Sequence, residues 1–309
     1  MRQRRRAVKL KSSGPGVVGR LARAASAAWR PFLVWVVPSV SLVAICVGGL
    51  HFCRRHVMTS PEYRVAAPKV SRPNAPWWEK AFGEEIDKSC AFAGGASILD
   101  DELLEKIAAG YARCPWVKEV TSLDKQFPNR VAAEISVRWP AAAVEVMTSR
   151  GRRYVLVGDD GVRLPKTYAT WPQRGLDVPF IVGVRAAAPD AGEAWRDRSV
   201  TDAIAIVRLL RQSEVVRGAI NITAVDVSNS GGRISNARSE FLVLAENNCV
   251  IEWGRAPGTS QPGELPGEEK IRKFESFLAE SNQTSNRTLD LRFAGRVVSR
   301  RIGTDGDNG

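Results

Sequence analysis

The sequence has only two histidines in 309 residues, His51 and His56, and both lie beside a long apolar segment. Its five cysteines form no Cys-x-x-Cys pair. A zinc site of ordinary ligand spacing therefore cannot be assembled from these residues. The same shortage excludes a Ser–His or Cys–His catalytic pair in the folded regions, and neither a Gly-x-Ser-x-Gly motif nor a phosphate-binding P-loop is present.

Acidic residues are absent from residues 1–30, which hold nine arginines and lysines. Residues 31–309 carry 36 basic and 33 acidic residues, so most of the net charge of +12 belongs to the tail. A basic patch that is confined to one terminal segment is weak evidence for a nucleic-acid-binding fold. We therefore expect no nucleic-acid partner.

Charged residues are absent from residues 31–53, PFLVWVVPSVSLVAICVGGLHFC. A helix of that length would extend about 34 Å, enough to cross the roughly 30 Å hydrocarbon core of a bilayer. A cleaved signal peptide is the alternative, but its apolar core is usually about 7–15 residues long and precedes a small-residue cleavage site. Here the core is longer and Arg54-Arg55-His56 follows it directly, which favours an uncleaved transmembrane helix.

The distribution of positive charge predicts the orientation of this helix. Nine basic residues precede it, and only three follow closely, so the positive-inside rule places residues 1–30 in the cytoplasm. We expect a single-pass protein of the inner (cytoplasmic) membrane with most of the chain in the periplasm or another extracytoplasmic space. Disulfides form in such a compartment, and Cys90–Cys114 is the candidate pair.

Residues 57–76 contain four prolines and few large apolar side chains, which predicts an extended extracytoplasmic linker at 54–84. Residues 85–139 then predict a small α+β module. Within it, 99–112 places its apolar side chains on one helical face, while 116–124 and 130–139 are strand candidates on either side of a Phe-Pro-Asn turn.

Residues 140–296 predict a mainly antiparallel β domain with two helices. The helical segments are 199–212 and 268–280, and the strand segments end with TLDLRF at 288–293. Residues 297–309 follow as a polar tail. Helices and strands are grouped in this way in α+β proteins.

Asp159 and Asp160 precede Gly161 between two alternating segments. Adjacent carboxylates can form a catalytic pair, but Asp-Gly between two strands is the strongest hairpin signal in this chain. We therefore interpret both aspartates as part of a solvated turn.

Several segments, taken in order, resemble the FtsQ/DivIB family of bitopic cell-division proteins, which have a POTRA module and a β domain outside the membrane. These segments are CPWVKEVTSLDKQFPNRVAAEISVRWPAAAV at 114–144, RRYVLVGDDGVRLP at 152–165, VPFIVGV at 178–184, CVIEWGR at 249–255, EEKIRKFESFL at 268–278 and LDLRF at 289–293. The resemblance implies an α+β fold with one transmembrane helix, a POTRA-like module at 85–139 and a β domain at 140–296.

The resemblance also implies a non-catalytic scaffold of the division septum that recruits or links partner membrane proteins of the FtsB/FtsL type. It implies no cofactor, no metal and no small-molecule substrate. A β domain that ends in a strand can bind a partner by strand addition, in which backbone hydrogen bonds give affinity and alternate side chains give specificity.

By the resemblance, the partner-binding residues lie in the last strand and in the helix before it, and we expect a free sheet edge there. They are Leu289, Asp290, Leu291, Arg292 and Phe293, with Lys270, Lys273 and Glu275 as rim contacts. The three apolar residues share one face of the strand, and at least two of them are expected to pack in the core. Asp290 and Arg292 point the other way and are the stronger interface candidates.

Two other functions stay open at this stage. A POTRA protein that assists polypeptide transport is one, although such chains usually carry tandem modules or a membrane barrel. A membrane-anchored hydrolase that uses carboxylates alone is the other, because Asp and Glu are plentiful although no motif pairs them.

Overall fold

The computed structural model of the chain describes residues 17–65, 68–71, 83–84, 88, 94–170, 177–259, 262–280 and 284–302. Helix α1 (Val17–Thr59) comes first, so the second half of the predicted basic tail is helical. Among the described residues, α1 is the one helix long and apolar enough to cross a membrane, over Val34–Thr59. This finding confirms the prediction of an apolar N-terminal helix.

The segment after α1 is not the extended linker that was predicted for residues 54–84. A short 3₁₀ turn (Pro61–Tyr63) follows the helix directly, and Val65 is fully buried. Strand β1 (Lys69–Ser71) then pairs in parallel with a strand of the first sheet. The prediction is wrong for these residues because prolines restrict the backbone without preventing Val65 from entering a core; residues 66–67, 72–82, 85–87 and 89–93 lie outside the described residues.

The first sheet has three strands in the order β1-β3-β2, with β2 (Val117–Gln126) antiparallel to β3 (Arg130–Val137). Alternate β3 side chains are buried, as expected for a strand with one face on a core: Val131, Ala133, Ile135 and Val137. Helix α2 (Leu103–Ala112) packs on that face. It begins four residues later than predicted, because Asp100 forms a turn by accepting a hydrogen bond from the Glu102 backbone N–H at 3.0 Å.

The second sheet has nine strands in the order β12-β11-β10-β9-β8-β7-β4-β5-β6. Its strands are β4 (Pro140–Thr148), β5 (Gly151–Gly158), β6 (Arg163–Tyr168), β7 (Phe180–Val182), β8 (Ile222–Asp226), β9 (Phe241–Ala245), β10 (Cys249–Gly254), β11 (Arg287–Asp290) and β12 (Val298–Arg301). Five neighbouring pairs are antiparallel and three are parallel. The sheet is therefore mixed, with antiparallel pairs in the majority.

Three helices cover this sheet where two were predicted: α3 (Arg198–Gln212), α4 (Glu214–Ala219) and α5 (Gly267–Glu280). The additional helix α4 is short, and the Ser213 hydroxyl caps it by accepting a hydrogen bond from the Val216 N–H at 3.2 Å. Six residues are too few for a helical period to stand out in the sequence.

The two sheets share apolar contacts instead of being joined by a spacer. Trp116, at the start of the first sheet, lies in the same buried cluster as Ala143, Leu156 and Leu164 of the second sheet, and all four are fully buried. Because one core spans both sheets, these contacts oppose a change in the angle between them.

Ion pairs reinforce this junction and involve the Asp-Asp-Gly turn. Arg138 donates from Nε to Asp160 Oδ2 at 2.7 Å and from Nη1 to the backbone oxygens of Pro115 and Val117. Lys118 donates to Asp159 Oδ2 at 2.9 Å. The turn is present as predicted, but its carboxylates are contacts between the sheets and not merely solvated groups.

Candidate partner-binding edge

The last predicted strand is not at the edge of the second sheet. At Leu289, β11 pairs in parallel with Ile251 of β10 on one side and antiparallel with Ser299 of β12 on the other. The expectation of a free edge at residues 289–293 is therefore wrong. Among the described residues, β12 is the terminal strand on this side, and no strand pairs with its outer N–H and C=O groups.

Of the five residues predicted to bind a partner in the last strand, two are fully buried. Leu289 and Leu291 belong to the core, as the alternation of the strand led us to expect for two of the three apolar residues. The exception is Phe293, which is 50% exposed and has the Arg292 guanidinium 5.1 Å from its ring centre. Phe293 alone of the three can contact a partner directly.

Asp290 and Arg292 point away from the core, but their charged groups bind each other. Arg292 donates from Nε to Asp290 Oδ1 at 3.0 Å and from Nη2 to Oδ2 at 2.7 Å, and the same Nη2 lies 2.7 Å from Glu252 Oε2. Burial alone would raise the pKa of Asp290, but the hydrogen bonds and charge of Arg292 outweigh it and hold that pKa below its usual value. The pair therefore ties β11 to β10 instead of facing solvent as an open contact.

Asp290→Asn is expected to cost stability at neutral pH and progressively less as the pH falls. A carboxyl group with a depressed folded pKa stabilises the fold fully above its unfolded pKa of about 3.9, and that contribution is lost as the pH falls through the lower folded value. Urea unfolding of wild type and variant at pH 7 and pH 3 measures the difference. Glu105→Gln, at an exposed position, is the control, and an equal cost of Asp290→Asn at both pH values would contradict the role assigned to the carboxylate.

Lys270 was predicted to be a rim contact but is only 2% exposed, so that prediction is wrong. Its ammonium group donates to Glu264 Oε1 at 2.6 Å and lies 5.1 Å from the centre of the Trp253 ring. Burial lowers the pKa of Lys270, although Glu264 opposes the change. Gly254 ends β10 with a φ of 90°, and a Cβ there would collide with the Glu264 carboxylate, so glycine allows the carboxylate to approach.

Lys273 and Glu275, the other predicted rim residues on α5, are also held within the chain. Lys273 donates to the backbone oxygens of Asp290 at 3.2 Å and Phe293 at 2.7 Å, and burial lowers its pKa. Glu275 accepts a 2.5 Å hydrogen bond from the Ser213 hydroxyl, which joins α5 to α4. Lys273 therefore fixes α5 against the end of β11, and Glu275 fixes α5 against α4.

An open groove of about 720 Å³ lies between α5 and the turn that joins β11 to β12. Its apolar portion includes Phe277 and Val297, which pack on the main core. Its charged portion includes Arg272, Glu280 and Arg296, and the last two lie 3.8 Å apart. The groove can therefore take an apolar side chain while polar groups contact its rim.

The edge beside this groove is strongly basic. Residues 291–302 contain four arginines and no acidic residue. Three of these arginines, Arg296, Arg300 and Arg301, are exposed, and Val298 is 50% exposed on the same strand. A strand added here would meet positive charge and one apolar side chain.

The sequence prediction missed β12 by assigning residues 297–309 to a polar tail. Val297 and Val298 follow Gly295 and are β-branched, which was the available signal for a strand. Two arginines after them weakened that signal. The strand forms because β11 supplies a partner along four residues, from Arg287 opposite Arg301 to Asp290 opposite Val298.

Of the two cysteines in the candidate disulfide, only Cys114 lies among the described residues. Cys114 is buried and disulfide-bonded, whereas Cys46, Cys53 and Cys249 are free. Cys90 lies outside the described residues, so its pairing with Cys114 stays a prediction. Burial raises the pKa of Cys249 to about 11, which keeps this thiol protonated at neutral pH.

Within the described portion of the chain, no three His, Cys, Asp or Glu side chains are grouped so that they could hold a metal ion. No protein-family model matches the chain, and no curated protein is significantly similar to it. The geometry of the β12 edge and of the groove beside it is therefore the basis for a functional assignment.

Proposed function

We propose that this chain is a non-catalytic scaffold of bacterial cell division, similar to the FtsQ/DivIB family. In this proposal α1 anchors the chain in the cytoplasmic membrane, with residues 1–30 inside and the two sheets outside. The observation that carries the proposal is an outer edge of β12 that has no strand partner among the described residues and adjoins an open groove. The edge lies one strand beyond the segment that the sequence pointed to.

Strand addition suits this edge for a physical reason. An extended partner segment can hydrogen-bond to the outer N–H and C=O groups of β12, and side chains at alternate positions can then contact Val298 or enter the groove. The rigid ties of Asp290, Arg292 and Lys273 hold β11, and therefore β12, in place before a partner arrives. A preformed edge reduces the ordering cost of binding.

The charge of the edge indicates the chemistry of the partner. Arg296, Arg300 and Arg301 would attract an extended segment that carries Asp or Glu. A coiled-coil partner of the FtsB/FtsL type with an acidic segment after its coil would fit this description. Phe277 offers such a partner an apolar contact in the groove.

The small first sheet supports the POTRA-like component of the proposal. It consists of β2 and β3 as an antiparallel hairpin, with β1 parallel to β3 and α2 on one face. This arrangement agrees with the α+β module that the resemblance implies. In the proposal this module is the second component of the scaffold.

The proposal assigns no catalysis to the chain. Asp159 and Asp160 are the adjacent carboxylates most similar to a catalytic pair, and Lys118 and Arg138 bind them at the junction of the sheets. Carboxylates that are paired with cations in this way stabilise the junction between the two sheets.

The test uses the full-length chain with a fluorescent tag in dividing bacterial cells, compared with Arg300→Glu/Arg301→Glu. We expect enrichment of the wild-type chain at the division site. The variant should lose that enrichment and capture acidic partner proteins about tenfold less well, because reversed charge repels an acidic segment. Co-purification from solubilised membranes measures the capture.

The matched control is Arg150→Glu/Arg238→Glu, which changes the net charge equally at exposed positions elsewhere on the chain. It should leave both localisation and capture unchanged. A uniform membrane signal of the wild-type chain at every cell stage would refute the division role. Capture of unfolded exported polypeptides instead of membrane proteins would favour the transport function.

A further inference from the structure

The tip of the β2–β3 hairpin, residues 126–130, carries an exposed aromatic side chain that the proposed function does not use. Phe127 is 65% exposed, and Pro128 and Arg130 beside it are also exposed. An aromatic ring on a protruding turn loses contact with water only if something covers it. The position of this tip relative to α1 indicates which surface covers the ring.

The connection between α1 and the first sheet leaves little space above a bilayer. The apolar segment ends at Cys53, and the helix continues for six residues to Thr59, a rise of about 9 Å. The headgroup layer on one side of a bilayer is about 5–7 Å thick. The 3₁₀ turn and the buried Val65 follow at once, so with α1 upright in a bilayer the first sheet would begin where the headgroups end.

One ion pair places the loop before α2 at the level of the headgroups. Arg54 directly follows the apolar segment, and its Nη2 lies 3.5 Å from Asp101 Oδ2. Both side chains are largely exposed, so the pair contributes little to stability. It nevertheless shows that Asp101 reaches the first charged residue after the uncharged segment 31–53.

Two further contacts place the hairpin tip at this same end of the sheet. Lys125, which is two residues before Phe127, donates to the backbone oxygen of Asp100 at 2.6 Å. Strand β1 is parallel to β3, and its first residue, Lys69, lies opposite Ala132, close to the tip. Strand β1 therefore begins near the tip and runs away from it. The β2–β3 turn is therefore on the side of the sheet that α1 enters.

We propose that the hairpin tip inserts Phe127 into the interface of the bilayer that α1 spans. Aromatic rings are favoured at the boundary between headgroups and acyl chains, where amphipathic segments reach about 5–10 Å deep. Arg130 is exposed at the same tip, and its positive charge suits a lipid phosphate. In the loop before α2, Asp100 and Asp101 are paired with Lys106 and Arg54, so their negative charges are partly neutralised.

This contact would attach the extracytoplasmic region to the membrane at both α1 and the tip. A pair of attachments fixes the tilt of the first sheet, and the shared core transmits that tilt to the second sheet. The β12 edge would then be presented at one height above the membrane. The inference rests on the membrane-spanning α1 of the proposed function.

The experiment measures the depth of a fluorophore in the full chain reconstituted in phosphatidylcholine vesicles. An environment-sensitive dye is attached to Phe127→Cys, in a parent in which the free Cys46 and Cys53 are replaced by alanine. The parent without the added cysteine reports any labelling elsewhere. We expect a blue-shifted emission and loss of about half of the signal to a nitroxide placed near the headgroups, the depth that interfacial residues reach.

Two matched positions make the outcome decisive. Met147→Cys, 74% exposed on the β4–β5 hairpin of the second sheet, should be neither shifted nor quenched. Val43→Cys, in the middle of the apolar segment, should be quenched by a nitroxide deep in the acyl chains. Quenching at position 43 without quenching at 127 would overturn the inference alone, whereas no quenching at 43 would refute the membrane span itself. A shift at 127 that requires an added protein would assign the tip to a protein partner and overturn the lipid contact.

Discussion

Lys270→Ala is expected to lower the free energy of unfolding by about 3–5 kcal/mol, because it leaves the charge of Glu264 buried without its partner. Lys270 and Glu264 side chains are 3% and 8% exposed, so water cannot replace the lost ammonium group without opening the structure. Glu264 also accepts a hydrogen bond from the Arg255 N–H at 2.7 Å, which ties the loop after β10 to this pair. Urea unfolding of the detergent-solubilised chain, followed by tryptophan fluorescence, measures the loss.

Two variants separate this cause from a general effect of removing a lysine. Lys106→Ala removes ion pairs with Asp100 and Glu102, but this lysine is half exposed, so it should cost far less stability than Lys270→Ala. Lys270→Met/Glu264→Gln removes both charges and keeps an acceptor for the Arg255 N–H, so it should recover most of the loss. A Lys270→Ala variant as stable as Lys106→Ala would refute the buried-charge argument.

The elements that the sequence predicted well are those in which a simple pattern extends over many residues. The absence of charge in residues 31–53 predicted an apolar helix, and α1 contains it. The alternation in 130–139 predicted β3, whose alternate side chains are buried. In β3 the local pattern and the final packing require the same residues to be apolar.

The elements that the sequence missed depend on partners that are distant in the chain. Val65 lies in a proline-containing segment with few large apolar residues, and its burial depends on the core formed by α2 and β3. β12 contains two arginines and is a strand because β11 pairs with it. Neither fact can be derived from a local period, because tertiary pairing overrides propensity in short segments.

For the charged residues of the candidate site, the local sequence pattern indicates the direction of a side chain but not its partner. Lys270 lies four residues before Phe274 on one face of α5, and Phe274 is fully buried. This spacing was a usable sign that Lys270 also faces inward and needs a carboxylate. For Asp290 and Arg292, alternation gave the correct direction of the side chains but not that each is the other's partner.

Arg292→Ala is expected to lower the free energy of unfolding by about 2–4 kcal/mol, and to weaken partner capture only through that loss. The guanidinium neutralises two carboxylates, Asp290 and Glu252, and all three side chains are largely buried, so truncation leaves two carboxylates facing each other. Arg292→Lys should recover some of the stability, because an ammonium group keeps the charge but cannot bind Asp290 through two parallel hydrogen bonds. Urea unfolding of the wild type, Arg292→Ala and Arg292→Lys gives the order of their stabilities.

For each variant, the change in partner capture is compared with the change in the free energy of unfolding. This comparison distinguishes residues that position the β12 edge from residues that touch the partner. Arg300→Glu/Arg301→Glu should weaken capture while changing the free energy of unfolding by no more than about 0.5 kcal/mol, because both side chains are exposed. Arg292→Ala should regain capture at a temperature or osmolyte concentration at which the variant is fully folded, because the edge itself is then intact. If capture by Arg292→Ala stays weak although its fold is as stable as wild type, Arg292 contacts the partner and the division of roles between β11 and β12 is wrong. If both variants lose capture only in proportion to stability, the partner binds elsewhere and the β12 edge is not the site.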